Sequence, residues 1–189
     1  MGEAAKLMAL IQRFDNSILF FIKDNMHGHI MDKFMVFLTS LGNGGVIWIA
    51  AAVLLISSKK YRNTGVMVLG ALLLSTILGE EILKNVFQRM RPSASIPAVN
   101  LLISKPLSYS FPSGHSASSF AAAGVLAKYH KKYAALFFGL AALIAFSRLY
   151  LYVHYPTDVL AGMVLGLICS KIIIYIFEKV RSRSKLQAD

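Results

Sequence analysis

Apolar runs of near-spanning length recur along this chain, and short clusters of lysine and arginine separate them. A bilayer core is about 30 Å thick, so a helix needs about 20 mostly apolar residues to cross it. No water is available there to satisfy backbone N–H and C=O groups, so such runs fold as helices. The runs fall at 35–57 (broken near Gly42-Asn43-Gly44-Gly45), 65–83, 113–128, 133–150 and 157–177. With 56% hydrophobic and 15% charged residues, the pattern predicts an all-α, integral membrane bundle of about five to six transmembrane helices. The third run is short and carries Ser116, Ala117, Ser118, Ala121, Ala122 and Gly124, small residues that let helices approach closely. Gly162 and Gly166 form a GxxxG pair, explained more simply by packing within the bundle than by dimerisation.

Residues 1–30 read differently. Met8, Leu10, Ile11, Phe14, Ile18, Leu19, Phe21 and Ile22 recur at helical spacing, interrupted by Arg13, Asp15, Asn16, Lys23 and Asp24. This is an amphipathic helix expected to lie on the membrane. The expected organisation is that helix (1–30), a membrane domain (31–180) and a basic cytoplasmic tail (181–189).

Lys and Arg total 20 against 9 Asp and Glu. A surplus of that size raises nucleic acid as a partner. The basic residues sit in loops between apolar runs, however, which is the signature of cytoplasmic segments and argues against nucleic acid. Lys59-Lys60-Arg62, Lys128-Lys131-Lys132 and Lys179-Arg181-Arg183-Lys185 alternate properly for one side. The segments around 85–112 and 150–157 then share the extracytoplasmic face. Cys169 is the only cysteine, which excludes an intrachain disulfide.

Three polar islands stand on that face. Ser147 to Asp158 places Arg148, His154 and Asp158 within twelve residues, and ionisable groups at a membrane are costly enough to suggest function. Pro156 suits the first position of a helix, with Asp158 in its opening turn. A carboxylate there can hold one imidazole nitrogen of His154 and leave the other free. The island from Lys84 to Pro92 puts Lys84, Gln88 and Arg91 on one face if the helix continues. Taken alone, it is better explained by basic side chains snorkelling to headgroups. Glu80 and Glu81 are spaced to pair with Lys84. In the island from Phe111 to Ser116, Ser113 is a good N-cap and Gly114 admits a ligand to the backbone. His115 lies in the first turn, next to an anion-binding helix start.

Together the islands bring Lys84, Arg91 and Arg148, a helix-start nest and two histidines to one face. The cations repel one another without an anion. Each contributes up to roughly 4 kcal/mol beside a bound phosphate at an effective dielectric of about 20. Phosphate is the anion that fits best. No carboxylate cluster or His/Cys set at metal-ligand spacing accompanies them, so neither a metal nor another cofactor is implied.

Lys-x6-Arg-Pro (Lys84 to Pro92), Pro-Ser-Gly-His (Pro112 to His115) and Ser-Arg-x5-His-x3-Asp (Ser147 to Asp158) occur complete and in order. This set resembles the tripartite signature of the type 2 phosphatidic acid phosphatase family, which shares its site with vanadium haloperoxidases. The resemblance covers about 35–178 and leaves out the amino-terminal helix. It implies a metal-independent phosphatase with His154 as nucleophile, Asp158 orienting it and His115 as acid and then base. It also implies that Lys84, Arg91, Ser113, Gly114 and Arg148 hold the phosphate oxygens.

The implied substrate is a lipid phosphate in the plasma membrane. Undecaprenyl pyrophosphate is favoured, with phosphatidylglycerol phosphate or phosphatidic acid next. The rival readings are a phosphotransferase with a lipid or sugar acceptor, a vanadate-dependent oxidase, and a non-catalytic phospholipid-binding or transport protein. The oxidase is disfavoured because those relatives are soluble, and the last because a relic site has no need of both histidines.

Overall fold

The computed structural model describes residues 2–95 and 101–186. Among them every regular element is helical: α1 (Glu3–Met26), α2 (His29–Gly42), α3 (Val46–Ser57), α4 (Arg62–Thr76), α5 (Lys84–Phe87), α6 (Pro92–Ser95), α7 (Gly114–Tyr129), α8 (Ala134–Tyr150) and α9 (Pro156–Leu186). A 3-10 turn, Asn43–Gly45, joins α2 to α3, and a π-helical stretch, Ile77–Leu83, joins α4 to α5. Of the expected tail, α9 takes in the residues up to Leu186, and 187–189 lie outside the described residues.

Among the described residues, four helical stretches are long and apolar enough to cross a membrane: His29–Ser57, Arg62–Phe87, Lys131–Tyr150 and Pro156–Arg183. The bundle expected from the apolar runs is therefore present, with one qualification. α7 is only 16 residues long and is the central helix, packed against α4, α8 and α9. Its surroundings are protein, which explains why small residues replace the large lipid-facing ones. The outward side chains are different: Leu54, Leu73, Leu136 and Val164 are all exposed. An apolar surface of that extent is the mark of a protein solvated by lipid.

Close packing of α7 on α9 depends on glycine. A Cβ on Gly162 would come within 2.5 Å of the Ser113 carbonyl oxygen, and one on Gly166 within 2.3 Å of that of Ala117. The GxxxG pair thus seats α9 against α7 of the same chain. Lipid tails are as apolar as the side chains, so this van der Waals fit drives the association more than apolar burial does. Trp48, Val68, Phe120, Val125 and Ile144 fill the centre, and Trp48 Nε1 donates to Ser119 Oγ at 3.0 Å.

The break in the first span is a sharp corner. Gly44 and Gly45 have φ of 58° and 71°, a left-handed conformation that glycine adopts without a Cβ clash. The basic clusters gather at one end of the bundle, where Tyr61 packs on His130 and Lys128 lies 4.0 Å from Glu178. The polar islands meet at the other.

α1 is a helix of 24 residues, as expected, and Leu7, Met8, Leu10, Phe14 and Phe21 face outward. Its buried positions include Leu19, Ile22 and, unexpectedly, Asp15.

Candidate active site

The first island does not continue as one helix. α5 ends at Phe87, and Gln88 turns left-handed at φ 44°. Lys84, Gln88 and Arg91 therefore do not share a helical face, and Gln88 Nε2 bonds back to the Asn85 carbonyl. Pro92 begins the short helix α6, consistent with proline's preference for a first helical turn. Lys84 points inward from the helix, while Arg91 enters from the loop. Lys84 Nζ donates to Glu80 Oε2 at 2.7 Å and to Ser108 Oγ at 3.0 Å. Arg91 Nε donates to the Ser108 carbonyl at 2.7 Å, and its Nη1 donates to the Val153 carbonyl at 2.7 Å.

The second island caps α7. Ser113 Oγ accepts from Ser116 Oγ at 2.9 Å and, more weakly, from the Ser116 N–H at 3.4 Å. Its hydroxyl is thereby turned to the helix start and does not line the cavity. Gly114 does line it. His115 fits because position 42 is glycine: a Cβ there would lie 2.7 Å from the His115 ring. His115 Nε2 sits 2.9 Å from Asn43 Oδ1, so the corner after α2 orients this histidine. The Gly-Asn-Gly-Gly break was legible in the sequence, but Asn43 as a partner of His115 was not.

The third island begins on α8. Arg148 is 4% exposed. Its Nη1 donates to Thr39 Oγ1, and its Nε is buried without a hydrogen-bond partner among the described residues. A buried guanidinium with an unmade bond and, among the described residues, no carboxylate in ion-pair range is costly unless a ligand completes it. The chain then turns through Tyr152, φ 59°, and presents His154. Pro156 opens α9 as expected. Asp158 Oδ2 accepts from the Tyr155 N–H at 2.9 Å, a reach back to the residue before the helix that caps it.

His154 is 1% exposed. Its Nε2 lies 3.0 Å from Arg91 Nη1. A guanidinium can only donate, so Nε2 must accept and Nδ1 carries the hydrogen. Burial, countered in part by Asp158 and reinforced by the Arg91 and Arg148 charges, pushes this imidazole down to about 3. Asp158 does not touch the ring directly, since its Oδ2 stands 3.7 Å from Nδ1. Ser110 stands between them: its Oγ donates to Asp158 Oδ2 at 2.5 Å and lies 3.4 Å from His154 Nδ1. No motif flagged Ser110. A serine in a loop carries no periodicity, and only folding reveals its neighbours.

One cavity of about 570 Å³ is lined by Lys84, Arg91, Gly114, His115, Arg148 and His154, with Glu80 and the apolar Ile49, Leu72 and Leu73 at its side. His115 and Arg148 also line a second opening beneath residues 101–106. Six of the eight residues singled out in the sequence thus face one space. Asp158 lies behind His154, and Ser113 lies beneath the α7 start. Among the described residues, no three His, Cys, Asp or Glu side chains are grouped as metal ligands.

Several known proteins are similar to this chain. An undecaprenyl-diphosphatase from Sulfolobus acidocaldarius is 34% identical over 138 residues, covering 72% of this chain and 66% of that protein's own length. The crystal structure of Aquifex aeolicus LpxE superposes with a TM-score of 0.75 at 32% identity, covering 86% of this chain and 95% of that one. A transmembrane PAP2 type phosphatidylglycerolphosphate phosphatase from Bacillus subtilis gives 0.73 at 27%, covering 90% and 88%. Residues 64–182 match the model of the PAP2 superfamily. All three polar islands fall inside that stretch, and this multi-pass membrane protein belongs to the PAP2 superfamily.

Proposed function

We propose that the protein is a metal-independent lipid phosphatase acting through a phosphohistidine on His154. The carrying observation is the 3.0 Å contact between Arg91 Nη1 and His154 Nε2. It sets an unprotonated nucleophilic nitrogen against a cation that would bind the phosphoryl oxygens. In the first step Nε2 attacks phosphorus, a P–N bond forms, and the P–O bond to the lipid breaks. His115 gives the leaving oxygen its proton. In the second step His115 takes a proton from water, whose oxygen attacks phosphorus; the P–N bond breaks and phosphate leaves. Lys84, Arg91, Arg148 and the Gly114 backbone stabilise the charge on the equatorial oxygens. Ser113 supports that cradle as the cap of α7. Asp158 holds the Nδ1 side through Ser110.

The substrate is a lipid whose phosphorylated head enters the cavity while its tail lies along Ile49, Leu72 and Leu73. Undecaprenyl pyrophosphate is the favoured one. The basic clusters support an extracytoplasmic site by the positive-inside rule, and α1 with its outward apolar face lies at the membrane surface. Purified protein given 32P-labelled lipid should release free phosphate with no acceptor present, which a transferase would not do. The label should be trapped on wild type and absent from His154→Gln. Label that persists in that variant overturns the nucleophile assignment. Chelator should leave the rate unchanged, and a panel of lipid phosphates assayed side by side decides the head group.

A further inference from the structure

Asp15 is the one ionisable side chain of α1 that is completely buried, and it lies outside the stretch matched by the family model. Its Oδ2 accepts from Arg89 Nη2 at 2.6 Å and from Thr157 Oγ1 at 2.7 Å, and its Oδ1 accepts from the Thr157 N–H at 2.9 Å. The other arm of the same guanidinium, Nη1, donates to Asp158 Oδ1 at 2.6 Å. Arg89 Cζ also lies over the Tyr155 ring, 4.0 Å from its centroid. Asp15, Arg89 and Asp158 form a line that continues through Ser110 to His154.

From this geometry we infer that Asp15 is a positioning residue which, through Arg89, aims and charges the Asp158 carboxylate behind His154. The inference rests on the reading of His154 as nucleophile. Two consequences follow from the fork. Arg89 occupies Oδ1 of Asp158, so only Oδ2 is left to face Ser110 and the imidazole. The charge count matters as well. Two carboxylates share one guanidinium, which leaves one net negative charge to stabilise the cation that develops on His154 during transfer. Without Asp15 the Asp158 charge would be matched by Arg89 alone, and the imidazole would lose most of that support. Lysine could not replace Arg89, because a single ammonium lacks the planar fork that reaches both partners.

The test compares Asp15→Asn and Arg89→Lys with Leu19→Ala. The last loosens the same helix by removing a fully buried apolar contact and leaves the charges intact. Both polar variants should lose kcat by about tenfold to 100-fold, by analogy with the partners that orient metal-ligating histidines, with KM nearly unchanged. Leu19→Ala should lower Tm and spare kcat. 15N-histidine spectra should show His154 as the Nδ1–H tautomer in wild type and as a mixture in Asp15→Asn. Full kcat in both polar variants with an unchanged His154 signal overturns the inference and leaves the phosphatase reading intact. If wild type itself releases no phosphate, that reading fails, and the tautomer spectra still decide the role of Asp15. Should Asp15→Asn not fold, Arg89→Lys carries the same comparison.

Discussion

The guanidinium of Arg91 and the imidazole of His154 come from segments 63 residues apart and meet at 3.0 Å, nitrogen to nitrogen. The contact forces one tautomer on the histidine. It also explains why a residue so close to a carboxylate stays uncharged: burial and the neighbouring cations outweigh Asp158.

His154 should therefore remain unprotonated at pH 5. Its pKa lies at about 3 in the folded protein against 6.5 for the free side chain. Between those values the unfolded chain binds the extra proton and the folded one does not. This group's contribution to stability is therefore fully present above about pH 6.5 and declines as pH falls toward 3. A 15N-histidine titration, with His154→Gln used to assign the signal, measures it directly. A midpoint near 6.5 would refute the buried neutral imidazole.

Replacing Arg91 by lysine tests whether geometry or charge matters at this position. Lysine keeps the cation and loses the fork that spans Ser108, Val153 and His154. Loss of one preorganised donor to the reacting group costs about 100-fold to 1,000-fold in kcat. Steady-state kinetics on a short-chain lipid phosphate should show that fall. A loss below about fivefold would mean that the positive charge alone suffices, against the directional stabilisation argued here.

The candidate site was legible in the sequence wherever it rested on residues of unusual cost. Arg148, His154 and Asp158 stand out because charge beside a membrane demands a reason, and Gly162 and Gly166 because their spacing is helical. What could not be read is what depends on chain reversal. The turn at Gln88 broke the expected face of Lys84 and Arg91. Ser110 and Asn43 touch the histidines only because loops distant in sequence close over them. Asp15 looked like an interruption in an amphipathic stripe, since nothing local shows that the polar face of α1 meets Arg89 and Thr157.

Ser110→Ala should separate orientation from charge. The variant removes the hydroxyl between Asp158 Oδ2 and His154 Nδ1, and both carboxylates and Arg89 remain. Its kcat should fall by about tenfold, because the net negative charge still faces the ring. Asp158→Asn should cost about 100-fold or more by also freeing the wrong tautomer. Measuring kcat for the two variants and their double mutant checks the order. Equal losses would place the whole effect of Asp158 in the Ser110 bridge.

Gly114→Ala probes the cradle itself. The added methyl would lie 2.3 Å from Glu80 Oε1, but that atom ends a flexible side chain and can swing aside, so the fold should survive with its Tm unchanged. The methyl would then occupy the place where the backbone of Gly114 is proposed to meet a phosphoryl oxygen. Loss of that approach should lower kcat/KM by about 100-fold, the cost of a missing oxyanion donor. Adding Glu80→Ala to Gly114→Ala makes room for the methyl beside Lys84 without restoring contact to the backbone. The double variant should therefore stay impaired. Recovery of wild-type kcat/KM would show instead that the glycine is there only to accommodate Glu80, and that phosphate is held by Lys84, Arg91 and Arg148 alone.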